Sequence, residues 1–350
     1  MFKFDYWWYN TRFCSDKGGN VEEIRLGTIG SGFIVHNILD AVAKVEGIRC
    51  VAVYSRTQEK GLPLAEKYGV EKVYMDLEAF LADEEINCVY VASPNLLHYE
   101  QAKKALLAGK HVLCEKPFCS KLVLAKELVE IAKQKHLFLM EAVPTTYLPN
   151  YSVLKESIQK IGRIKLVQGN FSQYSSRYDA FLRGELPNVF NPAFAGGCLM
   201  DINFYNVYLN VALFGKPKQS VYFPNIAKDV HIDTSGILIM EYDAFVTTNT
   251  GAKDTWGENY YLVEGEKGYI YAEGGSCSLR SLKVVTKEGE ETFWGQNDEE
   301  RWDYEMKYLT ELLLSDDYDT IYKKLDITLD TVEVMENVRK AAGIYFPGDK

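Results

Sequence analysis

The chain has 350 residues, a net charge of −10 at pH 7, seven cysteines and five histidines. Its length allows two units with cores of their own, and its acidic balance with no basic run excludes a nucleic-acid or anionic-membrane partner. No apolar stretch reaches the roughly 20 residues of a membrane helix, no histidine pair has metal-ligand spacing, and scattered cysteines (Cys114 and Cys119 are the closest pair) point to reduced thiols in the cytoplasm.

Residues 1–20 stand apart. Phe2, Phe4, Tyr6, Trp7, Trp8, Tyr9 and Phe13 are interrupted by Lys3, Asp5, Arg12 and Asp16, so the segment has no signal-peptide core. Its aromatics suit packing on a partner or a domain surface. Alternatively, Lys17-Gly18-Gly19 is what a purine-rich ribosome-binding sequence would encode, and Val21 fits a GTG start. On that reading residues 1–20 are an extension of doubtful origin and the fold begins at Val21. Amino-terminal sequencing of the native protein distinguishes the two.

Residues 24–29 read as a short apolar strand, and Gly30-Ser31-Gly32 as a turn into a helix carrying Ile34, Ile38, Val42 and Val45. Such a turn presents unpaired backbone N–H groups and the positive end of a helix dipole, and glycines let a pyrophosphate approach. Gly30 and Gly32 fill the first two positions of G-x-G-x-x-G, with Val35 at the third. Phe33 and Ile34 complete the expected cofactor cradle. Residues 47–57 hold a second strand that ends at Ser55-Arg56-Thr57, where such units bind the adenosine ribose. NAD sites usually place a carboxylate there. A guanidinium between hydroxyls suits a phosphate, so the expected cofactor is NADP, with NAD left open.

A helix through Leu62, Ala65 and Tyr68, a short strand near Val73 and an acidic helix over 77–81 follow. The apolar run 88–92 ends at Ser93-Pro94-Asn95, and a helix carrying Ala102, Ala105, Leu106 and Ala108 stops at Gly109. The strand over 111–114 and the helix through Leu122, Leu128 and Ile131 lead to Phe138-Leu139-Met140. Apolar strands alternating with amphipathic helices predict a doubly wound Rossmann domain over 21–145. Gly30, Ser55, Ser93 and Glu115 all fall at strand carboxyl ends, where ligands bind in such sheets.

Beyond Pro149 the pattern changes. A helix over 151–161 leads to a strand over 163–173, and strand-like runs follow at 235–242, 245–250, 259–264, 268–273 and 281–286. They predict an open, mostly antiparallel sheet in a domain over 146–350, with helices on one face. Helices over 302–314 and 327–342 close the chain, the second returning to the first domain. Apolar residues on both faces of 237–240 and 260–263 predict a homodimer or dimer of dimers through the open sheet.

Two clusters carry reactive groups. Glu115-Lys116-Pro117 lies past a strand end, where a lysine can perturb a neighbouring acid or bond a substrate hydroxyl; the bland alternative is a solvated lysine. In Gly196-Gly197-Cys198-Leu199-Met200-Asp201-Ile202-Asn203-Phe204-Tyr205, Asp201 and Tyr205 are four apart and share a helix face, so the carboxylate can orient the phenol; most such pairs are structural.

The glycine turn, Ser93-Pro94-Asn95-x-x-His98, Glu115-Lys116-Pro117, the Asp201/Tyr205 helix and the ending Ala342-Gly343-Ile344-Tyr345-Phe346-Pro347 occur in this order. Together they resemble the Gfo/Idh/MocA oxidoreductases over nearly the whole of 21–350. Tyr205 in place of the commoner His resembles the branch with dimeric dihydrodiol dehydrogenase and glucose–fructose oxidoreductase, which are NADP users. The resemblance implies Lys116, Asp201 and Tyr205 as the catalytic group, and Gly30, Gly32, Phe33, Ile34, Ser55, Arg56, Ser93, Asn95, His98, Glu115 and Lys116 around the cofactor. The expected reaction is hydride transfer to or from a secondary alcohol, hemiacetal or ketone of a sugar, polyol or dihydrodiol. Tyr205 is the expected acid/base with Lys116 lowering its pKa, or Lys116 is itself the proton carrier. Arg163, Asn170 and Arg177 are candidate polyol contacts, and Tyr147, Phe171, Tyr174 and Tyr178 candidate stacking surfaces. A cofactor-binding regulator without turnover, or an NAD-dependent glycosidase, is the alternative; a regulator is expected to lack the lysine or the Asp/Tyr pair, which this chain keeps.

Overall fold

The computed structural model describes residues 22–294 and 300–349; the extension 1–20 and the start at Val21 lie outside them. Strands β1 (Ile24–Ile29), β2 (Ile48–Tyr54), β3 (Lys72–Tyr74), β4 (Cys88–Val91), β5 (His111–Glu115) and β6 (Leu139–Ala142) form a parallel sheet in the order β3-β2-β1-β4-β5-β6. Helices α1 (Phe33–Val42), α2 (Gln58–Tyr68), α3 (Leu77–Ala82), α4 (His98–Leu107) and α5 (Leu122–Lys135) connect them. Every residue of β4 is buried, which is why Cys-Val-Tyr-Val shows no polar alternation. The chain switches direction between β1 and β4, so a crevice opens above Gly30 and Ser93.

Helix α6 (Pro149–Ser157) tightens into a 3₁₀ turn, Ile158–Ile161, and enters β7 (Ile164–Ser172) through Gly162. After α7 (Tyr178–Leu182) and α8 (Phe204–Phe214) come β8 (Gln219–Ala227), β9 (Ile232–Glu241), β10 (Val246–Ala252), β11 (Tyr260–Gly265) and β12 (Gly268–Glu273). The short α9 (Gly275–Ser278), then β13 (Ser281–Thr286) and β14 (Gly289–Trp294), complete a second sheet ordered β14-β13-β12-β11-β7-β10-β9-β8. Its neighbours pair antiparallel except β7 with β10.

The sequence pattern reveals neither β8 nor β14, and these are the two edges. β8 carries Pro224, and β14 opens Gly-Glu-Glu; both features suit an edge and obscure a strand pattern. Helix α8 covers the inner face, where Tyr208 and Val211 join Leu238 and Met240. The outer face leaves Leu166, Val221, Phe223, Ile237 and Val246 exposed.

Helices α10 (Arg301–Leu314) and α11 (Tyr318–Ala341) join the two sheets. α11 starts nine residues before the predicted position, where Asp317 accepts from Thr320 N at 3.0 Å; its first turns are too charged to show a clean apolar period. Leu325 and Val332 join Ala125, Leu128 and Leu139 in one core. Val334, Met335 and Val338 pack with Phe204 and Val207 in another. Each such side chain contributes about 1.5–3 kcal/mol when fully buried.

Candidate active site

β1 ends at Gly30, whose φ is +121°, and a Cβ there would lie 2.6 Å from the Ala92 carbonyl oxygen. Glycine alone fits between these strand ends. Gly32 opens α1 with no side-chain cap and no acidic residue in the first turn, and a Cβ on it would meet nothing within 4 Å. The first-turn N–H groups of Phe33 and Ile34, which a helix cannot pair internally, therefore adjoin open space. Val35 is fully buried in the core, so its bulk is accommodated beneath the turn. Across the switch point the Ser93 hydroxyl is buried without a partner. Beyond β2, Ser55 is buried and Arg56 exposed, just before the N-terminus of α2, which no side chain caps. Hydroxyl, guanidinium and bare helix start make an anion-receptive rim. The open cradle and orphan hydroxyl fit a dinucleotide.

Glu115 ends β5, buried. One carboxylate oxygen accepts from the Tyr90 hydroxyl at 2.5 Å and the other from Lys116 N at 3.2 Å. Burial pushes its pKa up against the pull of Tyr90 and Lys116. It supports Lys116 from beneath.

The facing wall starts at Gly197 (φ +105°), where a side chain would collide with the Asp233 carboxylate. Asp233 Oδ2 accepts from Leu199 N at 2.6 Å and from the Tyr222 hydroxyl at 2.7 Å. That anchors a π-turn, Leu199–Asn203, ahead of α8, where a plain α-helix is expected from sequence. The turn aims both the carbonyl and the carboxylate of Asp201 at one ammonium. Lys116 Nζ lies 2.8 Å from Asp201 O and 3.1 Å from Oδ1, and 5.0 Å from the centre of the Tyr205 ring. The i,i+4 spacing predicts that Asp201 orients Tyr205 directly; instead Asp201 grips Lys116, and Lys116 meets the phenol.

Sequence reasoning missed Lys253. Its Nζ donates to Asp201 Oδ2 at 2.6 Å and to the Val189 carbonyl at 2.9 Å. A single lysine past a strand end carries no local signal that distinguishes it from a solvated one. Arg301 was missed likewise; its Nη1 lies 3.4 Å from Cys277 Sγ.

Burial pushes Asp201 up, but Lys253 and Lys116 outweigh it and hold the carboxyl well below the usual carboxylate range. Burial pulls Lys116 down, but Tyr205, Asp201 and Glu115 outweigh it and keep the ammonium charged. Burial raises the Tyr205 phenol above its ordinary value, with Lys116 opposing. At neutral pH the ligand-free site therefore holds a carboxylate, an ammonium and a protonated phenol.

Other expected contacts fall elsewhere. His98 is 1% exposed, with Nε2 2.8 Å from the Ser93 carbonyl and Nδ1 3.0 Å from that of Pro117. Burial lowers its pKa. The neutral ring donates to one of these carbonyls, and both nitrogens point at protein oxygens between the Ser93 turn and the Lys116 segment. The Asn95 amide donates to Ala195 O at 2.9 Å, linking the two sheets' loops. Arg163 pairs with Glu266 at the far end of β7 from Tyr205. Asn170 is engaged with Glu258 O and Ser172 on the outer face. Tyr147 packs inside against Tyr308. Phe171 reaches the site, with its ring centre 5.9 Å from that of Tyr205. Arg177 borders an open cleft with Glu185–Val189, and Tyr174 and Tyr178 pack against each other.

The comparisons with known proteins fall on this geometry. The description "Oxidoreductase family, NAD-binding Rossmann fold" matches residues 24–143, and the GFO/IDH/MocA C-terminal domain matches 152–271. A scyllo-inositol 2-dehydrogenase (NADP(+)) of Bacillus subtilis is 34% identical over 93% of this chain and 99% of its own. The chain belongs to the Gfo/Idh/MocA oxidoreductases. Within this family the human trans-1,2-dihydrobenzene-1,2-diol dehydrogenase is 25% identical over 93% of this chain and 98% of its own. A levoglucosan dehydrogenase solved with NADH and levoglucosan superposes with a TM-score of 0.82 at 19% identity, covering 92% of this chain and 97% of that one. A 3-ketoreductase of Actinomadura kijaniata solved with NADP gives 0.81 at 21%, covering 91% and 97%. The chain is thus an oxidoreductase with the two-sheet fold of this family. Among the described residues no helix is long and apolar enough to cross a membrane.

Proposed function

We propose that this oxidoreductase is an NADP-preferring dehydrogenase of a sugar, polyol or dihydrodiol, acting at a secondary alcohol, hemiacetal or ketone carbon. The observation that carries the reading is the Lys116 ammonium held between Asp201 and the Tyr205 ring at the end of the Rossmann sheet. The inositol dehydrogenase and dihydrodiol dehydrogenase relatives support the substrate class, and the first of them NADP. Ser55 and Arg56 would take the 2′-phosphate, and Gly30, Gly32, Phe33, Ile34 and Ser93 would line the pyrophosphate path, with residues 21–145 as the cofactor unit.

Bound nicotinamide supplies or accepts the hydride. Lys116 binds the substrate oxygen and stabilises negative charge developing on it. Tyr205, protonated at neutral pH, gives its proton to that oxygen in carbonyl reduction and takes it back in oxidation. Asp201 fixes Lys116. Phe171, beside Tyr205, offers an apolar wall for a ring.

The outer face of the second sheet exposes Leu166, Val221, Phe223, Ile237, Val246 and Tyr269. A second copy of the chain covers this face in the proposed homodimer. The scattered cysteines suit a cytoplasmic enzyme.

The test is turnover of NADP, and separately NAD, over aldoses, inositols, other polyols and trans-dihydrodiols, followed by near-ultraviolet absorbance of the reduced cofactor. Activity with NADP that disappears in Lys116→Ala and Tyr205→Phe is expected. Near-wild-type turnover in both variants refutes the site.

A further inference from the structure

Lys253 sits one residue beyond β10 and is 1% exposed, whereas the side chains of Lys116 and Asp201 are 16% and 27% exposed toward the cleft. It therefore stands behind Asp201, out of substrate reach. Its ammonium donates to Asp201 Oδ2 and Val189 O, and lies 4.4 Å from the centre of the Phe190 ring. Among the described residues its ion pair is to Asp201, and Asp201 in turn carries two ammonium groups. A buried lysine whose ion pair is to the acid that also holds Lys116 is costly to keep for packing alone.

We propose that Lys253 is a positioning residue for the hydride-transfer site, holding one Asp201 oxygen so that the other faces Lys116 and leaving one net positive charge beside Tyr205. The inference rests on the reading of Lys116 and Tyr205 as the groups that handle the substrate oxygen. Without Lys253, Lys116 and Asp201 form a neutral pair, and the charge available to a developing alkoxide or phenolate falls. With it, Asp201 is shared, and the cluster of two ammoniums and one carboxylate favours the anion on the reacting oxygen. Its hold on Val189 O also seats the segment before Gly197, whose N–H donates to the same carbonyl at 3.0 Å.

Other charged and titratable groups bear on this field. Toward Tyr205 these are Lys116, Glu115, Cys277 and Arg301. Asp233, Lys253, Asp201 and Asp254 all bear on the neighbouring Cys198, and Lys253 also bears on Asp233. Among the described residues Asp201 has ion pairs to Lys116 and Lys253, so Lys253 supplies the second positive charge on it.

The experiment compares the pH dependence of kcat/KM for alcohol oxidation in wild type, Lys253→Met, Lys253→Gln and Lys253→Arg. Crystal structures of the Met and Gln proteins read the Asp201 position without needing turnover. Loss of the charge raises the pKa of the base, so the acid limb moves up by about one pH unit, a tenfold loss on that limb. A kcat loss of about ten- to a hundredfold at neutral pH is expected, with KM for NADP unchanged. Gln keeps a hydrogen bond without the charge and should shift the limb as Met does; Arg should restore it. Wild-type profiles in Met and Gln, or an Asp201 Oδ2 that keeps its wild-type position in the Met structure, overturn the proposal. If Met does not fold, Gln carries the test alone. Wild-type turnover in Lys116→Ala defeats the underlying site reading instead, and the two structures then still decide whether Lys253 positions Asp201.

Discussion

Replacing Glu141 by Gln should make the protein more resistant to alkaline pH without disturbing its contacts. Glu141 lies on β6 and is 3% exposed; its Oε1 accepts from Phe118 N at 2.8 Å, and its Oε2 lies 3.0 Å from Thr328 Oγ1 on α11. Burial pushes its carboxyl from 4.5 up to about 8. A pKa raised in the folded state contributes stability below the unfolded value, and that stability is lost as pH rises toward the folded value. At pH 7 the folded carboxyl is protonated and the unfolded one ionised, about 2.5 pH units above its own pKa, which is worth about 3 kcal/mol. Gln has no proton to lose. Its carbonyl can accept from Phe118 N and its amide can donate to Thr328, reproducing the protonated acid. Urea or thermal unfolding of both proteins from pH 5 to 8 is the assay. The stability gap should be about 1 kcal/mol at pH 5 and grow to about 3 kcal/mol in favour of Gln at pH 7. Parallel curves across that range would refute a protonated, buried Glu141.

Gly30→Ala forces a Cβ into the Ala92 carbonyl at a φ of +121°; it should cost about 1–3 kcal/mol of stability and lower reduced-cofactor affinity in a fluorescence titration. Unchanged affinity and Tm would remove Gly30 from the cradle. Arg56→Glu removes the proposed phosphate contact and adds repulsion, so KM for NADP should rise at least about tenfold, with KM for NAD within a few-fold; equal effects on both cofactors count against the Ser55-Arg56 rim. Phe223→Glu with Ile237→Lys places charges on the exposed sheet face, and light scattering should then report a monomer in place of the proposed homodimer. A wild-type oligomer in that double variant locates the interface elsewhere.

The first sheet was readable in the chain because its central strands are buried on both faces and its helices on one, so pattern and burial largely coincide from Ile24 to Ala142. The inner strands of the second sheet were nearly as legible: β12 and β13 match their predicted spans residue for residue. Its edges were not, since Pro224 and the acidic start of β14 blunt the strand pattern where neighbours are missing on one side. Local spacing could also nominate Gly30, Ser55, Lys116, Asp201 and Tyr205, because turns, strand ends and helix faces are short-range properties. Only the tertiary structure decided how they meet. Lys116 and Asp201 are 85 residues apart and Lys253 and Asp201 52 apart, and ion-pair partners at such separations leave no periodic trace. The π-turn that redirects Asp201 depends on Asp233 from another strand, and burial, which keeps Glu141 protonated and against which two lysines keep Asp201 ionised, is a property of the whole packed molecule.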